Sequence, residues 1–208
     1  YQNKILSNLQ EFHKNNPFSQ KGRTFKELLG IFGSQQNEEA KTVLRIILAK
    51  LENEGKLRKA DNTFVHASHQ VQVDSQAEKQ IEQIENFILK SGYSSTDLAE
   101  LSAEFSPELN EKRLQQFLKF LLDSDKIIFI QKKYLHAGVI EKAKEMVIDF
   151  IEKNGEGITV AQFRDMIAGN RSSALLILDL MDNSGITLRK GNNRFLTKKF
   201  KDKLDSDL

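Results

Sequence analysis

The sequence predicts a mostly α-helical chain with small β-hairpins, an α+β architecture of three tandem winged helices, each a helix-turn-helix followed by a two-stranded wing. Three observations carry that prediction. Between Gly157 and Leu196 a short helix, a tight turn, a second helix and a hairpin follow one another. The same order of apolar helical patterns and hairpin occurs twice before it, at a period of about 60 to 70 residues. The hairpin strands TFVH, KYLH and RFLT, starting at Thr63, Lys133 and Arg194, stand at matching places. The expected domains are 1–69, 70–137 and 138–208.

In chain order, Ile5, Leu9 and Phe12 give one apolar face of a first helix, which Asn15, Asn16 and Pro17 stop because proline cannot continue the backbone hydrogen-bond ladder. Thr24 with Glu27 forms a capping box that opens a second helix through Phe32. A third helix from about Glu38 sets Ala40, Val43, Leu44, Ile47, Leu48 and Leu51 at helical spacing. Gly55 suits the residue just past its end, and strands at 56–58 and 63–66 turn around Asp61 and Asn62. Residues 67–76 are polar, lack an apolar face and read as a flexible linker.

The second repeat places Ile81, Ile84, Phe87 and Ile88 on one helix, a short helix at 97–105, and Leu114, Phe117, Leu118 and Leu121 on a third, with a hairpin of 127–130 and 134–136. The third opens with Ile140, Ala143, Val147, Phe150 and Ile151. Thr159 caps a short helix through Ala168, Gly169 and Asn170 turn the chain, and another helix runs to about Asn183. Its wing strands, 186–188 and 194–196, are joined by Lys190, Gly191, Asn192 and Asn193, residues that tolerate positive φ.

Composition narrows the function. Of 208 residues 39% are hydrophobic and 29% charged, with two prolines, an ordinary soluble balance rather than a disordered one. No apolar run approaches the roughly 18 residues of a membrane helix, and Tyr1 opens no signal peptide, so a cytoplasmic chain with no membrane partner is expected. The absence of cysteine excludes disulfides, thiolate metal sites and a cysteine nucleophile. A net charge of only +2 means that any nucleic-acid surface must arise from local clustering.

Such clustering occurs in the last repeat. In the first two, the third helix carries Lys41, Arg45 and Lys50, or Lys112, Gln116 and Lys119, off its apolar face, which reads as a solvated surface. In the last, Leu175, Leu176, Ile177, Leu178, Leu180 and Met181 make the helix apolar nearly all round, so burial on more than one side is expected. Only its N-terminal end, Asn170, Arg171, Ser172 and Ser173, is plainly polar, and a helix start offers phosphate its free N–H groups and positive dipole end. Downstream, Arg189, Lys190, Arg194, Lys198, Lys199, Lys201 and Lys203 face a single Asp202. With the planar amides of Asn192 and Asn193, this ribbon suits a phosphate backbone and a base edge. The same residues also read as a hairpin turn and a solvated tail. Phe195 sits at an apolar strand position, so no stacking platform is expected.

Other chemistry finds little support. His66 and His69 have a metal-like spacing but no acidic or thiol partner near them, so no metal is expected. No carboxylates pair as acid–base catalysis requires, and no glycine-rich loop followed by Lys and Ser or Thr is present. Neither catalytic residues nor a cofactor are expected, and the chain is read as a binding protein rather than an enzyme.

The segments ITVAQFRDMIAGNR, ALLILDLMDNSGITLRKGNNRFL and KYLH resemble the C-terminal part of the bacterial selenocysteine-specific elongation factor, and ILSNLQEFHKNNPFSQKG resembles the start of that family's second winged helix. The resemblance implies tandem winged helices that follow a GTPase body, the last binding the messenger-RNA hairpin that recodes a UGA stop codon. Phe163, Arg164 and Asp165 match the family's Phe-Arg-Asp, Arg171 its arginine at the start of the recognition helix, and Arg189 and Gly191 its wing. Ser172 stands where the family commonly has lysine, and Leu188 where it commonly has arginine. Arg164 and Asp165 read equally as a mutual or helix-capping ion pair. The implied partners are an mRNA stem-loop, the ribosome in the full-length factor, and selenocysteinyl-tRNA and GTP through an N-terminal part that this monomeric fragment lacks. The rival readings are a transcriptional regulator of duplex DNA and a protein-interaction module.

Overall fold

The computed structural model describes residues 1–32 and 38–206. Leu208, the expected end of the last domain, and the side chain of Lys203 fall outside what it describes. The chain is mostly helical with small antiparallel sheets. Its elements are α1 (Gln2–Asn15), β1 (Arg23–Thr24), α2 (Phe25–Leu29), α3 (Glu38–Asn53), β2 (Leu57–Ala60), β3 (Thr63–His66), α4 (Ser75–Lys90), α5 (Leu98–Phe105), α6 (Glu111–Asp123), β4 (Ile127–Ile130), β5 (Lys133–His136), α7 (Ala137–Asn154), β6 (Ile158–Thr159), α8 (Val160–Met166), α9 (Arg171–Asn183), β7 (Thr187–Lys190), β8 (Asn193–Leu196) and α10 (Lys198–Ser206). No helix among the described residues is long and apolar enough to cross a membrane. Two compact units form: residues 1–81 with 109–124, and residues 82–108 with 125–208.

In the first unit, Ile5 and Leu9 of α1 pack with Leu28, Leu44, Leu48, Leu51 and Leu57. The expected α1 face ended in Phe12, but the buried residue is His13, one step round the helix. Thr24 and Glu27 close the capping box in both directions. Gly55 takes a φ of +66° just past α3, the left-handed conformation that glycine adopts without steric cost. Val43, expected in the core, is instead 42% exposed.

The sheet order is β1-β3-β2, a third strand that the sequence pattern did not indicate. Two residues are too short to show the alternation by which strands are recognised. A Cβ on Gly22, just before β1, would lie 1.8 Å from the Phe64 carbonyl oxygen, so only glycine lets the strands approach this closely.

Residues 67–76 are less free than expected. The His69 ring stacks on His13 at 3.8 Å, and its Nε2 lies 2.8 Å from the carbonyl oxygen of Ser19. His13 Nε2 accepts the backbone N–H of His66 at 3.2 Å, fastening α1 to β3. Helix α6 also belongs to this unit. The Arg113 guanidinium lies over both Phe18 and Phe117, Gln116 donates to the Asn15 carbonyl at 3.0 Å, and Ser19 donates to Asp123. Gln116 and Lys119, expected on a solvated face, are thus engaged, Lys119 with Asp123.

In the second unit, Asp97 and Glu100 make a capping box at α5, and a bridge pairs Thr96 with Tyr134 beside the β4–β5 hairpin. The larger core joins Ile140, Ala143, Val147 and Ile151 of α7 to Phe163, Ala174, Ile177, Leu178 and Met181, with Leu135 of β5 and Leu196 of β8. The sheet order is β6-β8-β7, again with a two-residue strand beside the hairpin. Gly157 repeats the role of Gly22, since a Cβ there would lie 2.8 Å from the Arg194 carbonyl oxygen. Residues 198–206, read as a solvated tail, form α10: Thr197 Oγ1 accepts the Phe200 N–H at 3.2 Å, and Phe200 packs against the core.

Candidate nucleic-acid interface

The short helix α8 begins at Thr159, whose hydroxyl accepts the Gln162 amide at 3.2 Å while Gln162 Oε1 accepts the Thr159 amide at 2.9 Å. It ends at Met166, two residues before the expected Ala168. There the chain reverses through a paired cap: the Ala168 amide donates to Asp165 and the Gly169 amide to Arg164. The left-handed residue is Ala168, φ +47°, and not the glycine that follows it.

Asn170 then caps α9 by accepting the Ser173 amide at 2.8 Å. The amides of Arg171 and Ser172 remain free among the described residues, and both side chains are exposed without a partner. This end of a 13-residue helix therefore presents two N–H donors and a guanidinium. Ser173, expected in the site, is buried, and Asn170 spends its side-chain oxygen on the cap. Beyond the first turn α9 is closed on both flanks, as its all-round apolar sequence predicts. One flank faces α7 and α8, and the other meets residues 92–94, where Tyr93 packs on the same core.

The wing follows the alternation of a two-stranded ribbon. Thr187, Arg194 and Leu196 point inward and are buried. Arg194, expected to meet phosphate, is 1% exposed. Its Nη2 donates to Asp179 at 2.6 Å and its Nε to Asp182 at 2.9 Å, while Thr187 donates to Asp182 at 2.6 Å. A buried guanidinium requires such partners, so Arg194 ties strand β8 to α9 instead of facing solvent. The signal was present in the sequence: two aspartates on an otherwise apolar helix need a cation or an exit to water.

Arg189, Lys190, Gly191 and Asn192 are exposed at the tip. Gly191 takes φ +63°, the conformation the tight turn requires. Arg189 Nε donates to the Gly191 carbonyl at 3.0 Å, and Lys190 lies 5.8 Å from the Phe195 ring. Asn193 is partly covered, its backbone paired with Thr159 and Lys190. Leu188 is 53% exposed on the outer face. Arg164 and Asp165 form an exposed ion pair, Nη2 to Oδ1 2.5 Å, the mutual pairing weighed as one of their readings.

The site residues thus fall into three places, the Arg164–Asp165 pair on α8, the α9 start and the wing, with no side-chain bond linking the α9 start to the wing tip among the described residues. No group of three or more His, Asp or Glu is placed to hold a metal among the described residues. His66 Nδ1 instead lies 2.8 Å from Ser68 Oγ.

A short capped helix, a turn, a second helix and a three-stranded sheet ending in an exposed hairpin define a winged helix. Residues 149–196 match the family model described as the winged helix of elongation factor SelB. Among solved structures, the chain is similar to the mRNA-binding domain of elongation factor SelB from E. coli in complex with SECIS RNA, at 23% identity and a TM-score of 0.49, over 60% of this chain and 100% of that one. It is also similar to a bacterial selenocysteine-specific elongation factor, EF-Sec, at 17% identity and a TM-score of 0.49, over 94% of this chain. The match spans 29% of that factor's length. No curated protein matches the chain.

Proposed function

We propose that this chain is the messenger-RNA-binding region of a selenocysteine-specific elongation factor, built as three tandem winged helices at 1–69, 70–137 and 138–208, of which the last grips an mRNA stem-loop. The recurring order of helices and hairpin supports the three-repeat reading, as do the glycines at 22 and 157, which admit a third strand in the first and last repeats.

One observation carries the functional reading: beyond its first turn α9 is packed on both flanks and the partly exposed Asp179 there is acidic and held by Arg194, so among the described residues its first turn and the wing tip are what offer donors to a ligand. A duplex reader lays the length of its recognition helix in the major groove. A stem-loop with unpaired bases needs only a phosphate seat and a few donors. In this reading Arg171, Ser172 and the free amides hold the RNA at the helix start. Arg189, Lys190, Gly191 and Asn192 meet it at the wing. Asn170 and Arg194 shape these two groups from behind, and Arg164 exchanges its exposed partner Asp165 for phosphate at small cost, since such pairs contribute about 0 to 1 kcal/mol.

The mechanism is delivery. RNA held by the last winged helix tethers a GTPase body and its selenocysteinyl-tRNA near the ribosome, in the cytoplasm, raising their effective concentration at the recoded codon. Competition between a stem-loop RNA and a duplex DNA of the same stem sequence tests the reading. The RNA should win, with affinity that falls as salt rises. Equal competition would point to a duplex regulator, and binding of neither to a protein-interaction module.

A further inference from the structure

We propose that the outer face of the β7–β8 wing is an apolar shelf for an unpaired nucleotide, centred on Leu188; this rests on the stem-loop reading above. The strand register puts Leu188 opposite Phe195 and Lys190 opposite Asn193. With Thr187, Arg194 and Leu196 buried on the other face, these four residues make up the outward one. Leu188 is 53% exposed. The Phe195 ring rests against Gly157, where a Cβ would come within 2.9 Å of two ring carbons, and Lys190 lies over the ring at 5.8 Å. The result is a leucine–phenylalanine surface with a cation at its edge.

The second unit contains its own control. Hairpin β4–β5 has the same strand lengths and register, Ile127 pairing with His136 as Thr187 pairs with Leu196. At the positions equivalent to Leu188, Lys190 and Phe195 it carries Ile128, Ile130 and Leu135, and these pack on the α7–α9 core. The same face of the same ribbon is therefore a packing face in one hairpin. In the other it stands open, with no described residue covering Leu188.

Charge selects the occupant. From Thr187 to Leu196 there is no acidic side chain. Arg194 is neutralised from within by Asp179 and Asp182, which leaves Lys190 as the exposed cation on the Leu188 face, while Arg189, paired in register with Arg194, projects from the other face at the tip. An anionic ligand that also offers a flat apolar surface fits this pattern, as a splayed base with its phosphate does and a fully paired stem does not.

The test measures binding of the full chain to a stem-loop RNA with an unpaired loop and bulge, and to a fully paired RNA of equal length, across a salt series. Leu188→Ser should weaken stem-loop binding roughly 5- to 10-fold, the loss of about one buried leucine's contact. Its salt slope should stay unchanged, and the paired RNA should be unaffected. Leu188→Arg should raise the slope by about one, as an added phosphate contact does. Wild-type-like stem-loop binding by Leu188→Ser, or an equal loss on both RNAs, would overturn the shelf while leaving the stem-loop reading intact. Failure of the wild-type chain itself to bind the stem-loop would overturn both.

Discussion

Helices α3 and α9 each precede a β-hairpin, one in the first unit and one in the second, and meet their surroundings in opposite ways. On α3 only the stripe Leu44, Leu48 and Leu51 is buried, and Ile46 is 64% exposed and Val43 42%. On α9, Ala174, Leu176, Ile177, Leu178 and Met181 are all buried, spanning both flanks. The helix that a winged helix usually offers to nucleic acid is therefore a structural pillar in the last repeat. What remains for a ligand is its first turn, where backbone donors and Arg171 are free, and the ribbon beyond it. In the proposed reading, recognition moves from the side of a helix to its end.

The comparison is broken most severely by putting a charge into the pillar. Leu178→Asp should cost more than about 4 kcal/mol and unfold the second unit, because an unpaired buried carboxylate has no compensating partner. Urea denaturation reads this directly, and a loss near 1 kcal/mol would mean that α9 has a solvated flank.

Acid should act on the first unit. Burial, reinforced by His69, His66 and Arg58, lowers the His13 pKa from 6.5 to about 4, and burial followed by His69 also lowers that of His66. The folded state keeps His13 neutral, with Nε2 accepting the His66 amide. The unfolded chain binds this proton more readily. His13 therefore contributes stability that is present above pH 6.5 and is lost as pH falls from 6.5 through about 4, up to about 3 kcal/mol. Denaturation at stepped pH should show that slope, and His13→Gln, which can still accept the amide, should flatten it. An unchanged slope in the variant would remove His13 from the account.

The smallest effect is expected on α3. Ile46→Asp should alter stability by no more than about 0.5 kcal/mol, as for an ordinary surface substitution. A loss above about 2 kcal/mol would show that α3 too is covered on its second flank, and the contrast with α9 would disappear.

Most of this fold is legible in the sequence where periodicity is strong. Leu114, Phe117, Leu118 and Leu121 are all buried as their spacing predicts, and the capping residues Thr24 and Thr159 form their boxes. Features that depend on distant residues were hidden. Strands β1 and β6 have two residues each and exist because Gly22 and Gly157 let them approach a hairpin formed much later in the chain. Arg194 looked like a surface cation because its partners, Asp179 and Asp182, stand more than ten residues earlier on another element. Leu188 reads from the sequence only as a strand residue standing where the resembled family commonly has arginine, and it takes the register to show it pointing out. The helix start at Asn170 to Ser172 was readable because capping is local.

The most direct test of recognition at a helix end is Arg171→Ala in the full chain, measured against a cognate stem-loop and one with altered loop bases. Arg171 is exposed and unpaired, so stability should not change. Affinity for the cognate hairpin should fall by about 1 to 3 kcal/mol, and discrimination between the two RNAs should shrink, as loss of a forked contact to a base edge requires. Unchanged affinity together with unchanged discrimination would contradict the account, because the free guanidinium at the start of α9 would then do nothing for the RNA.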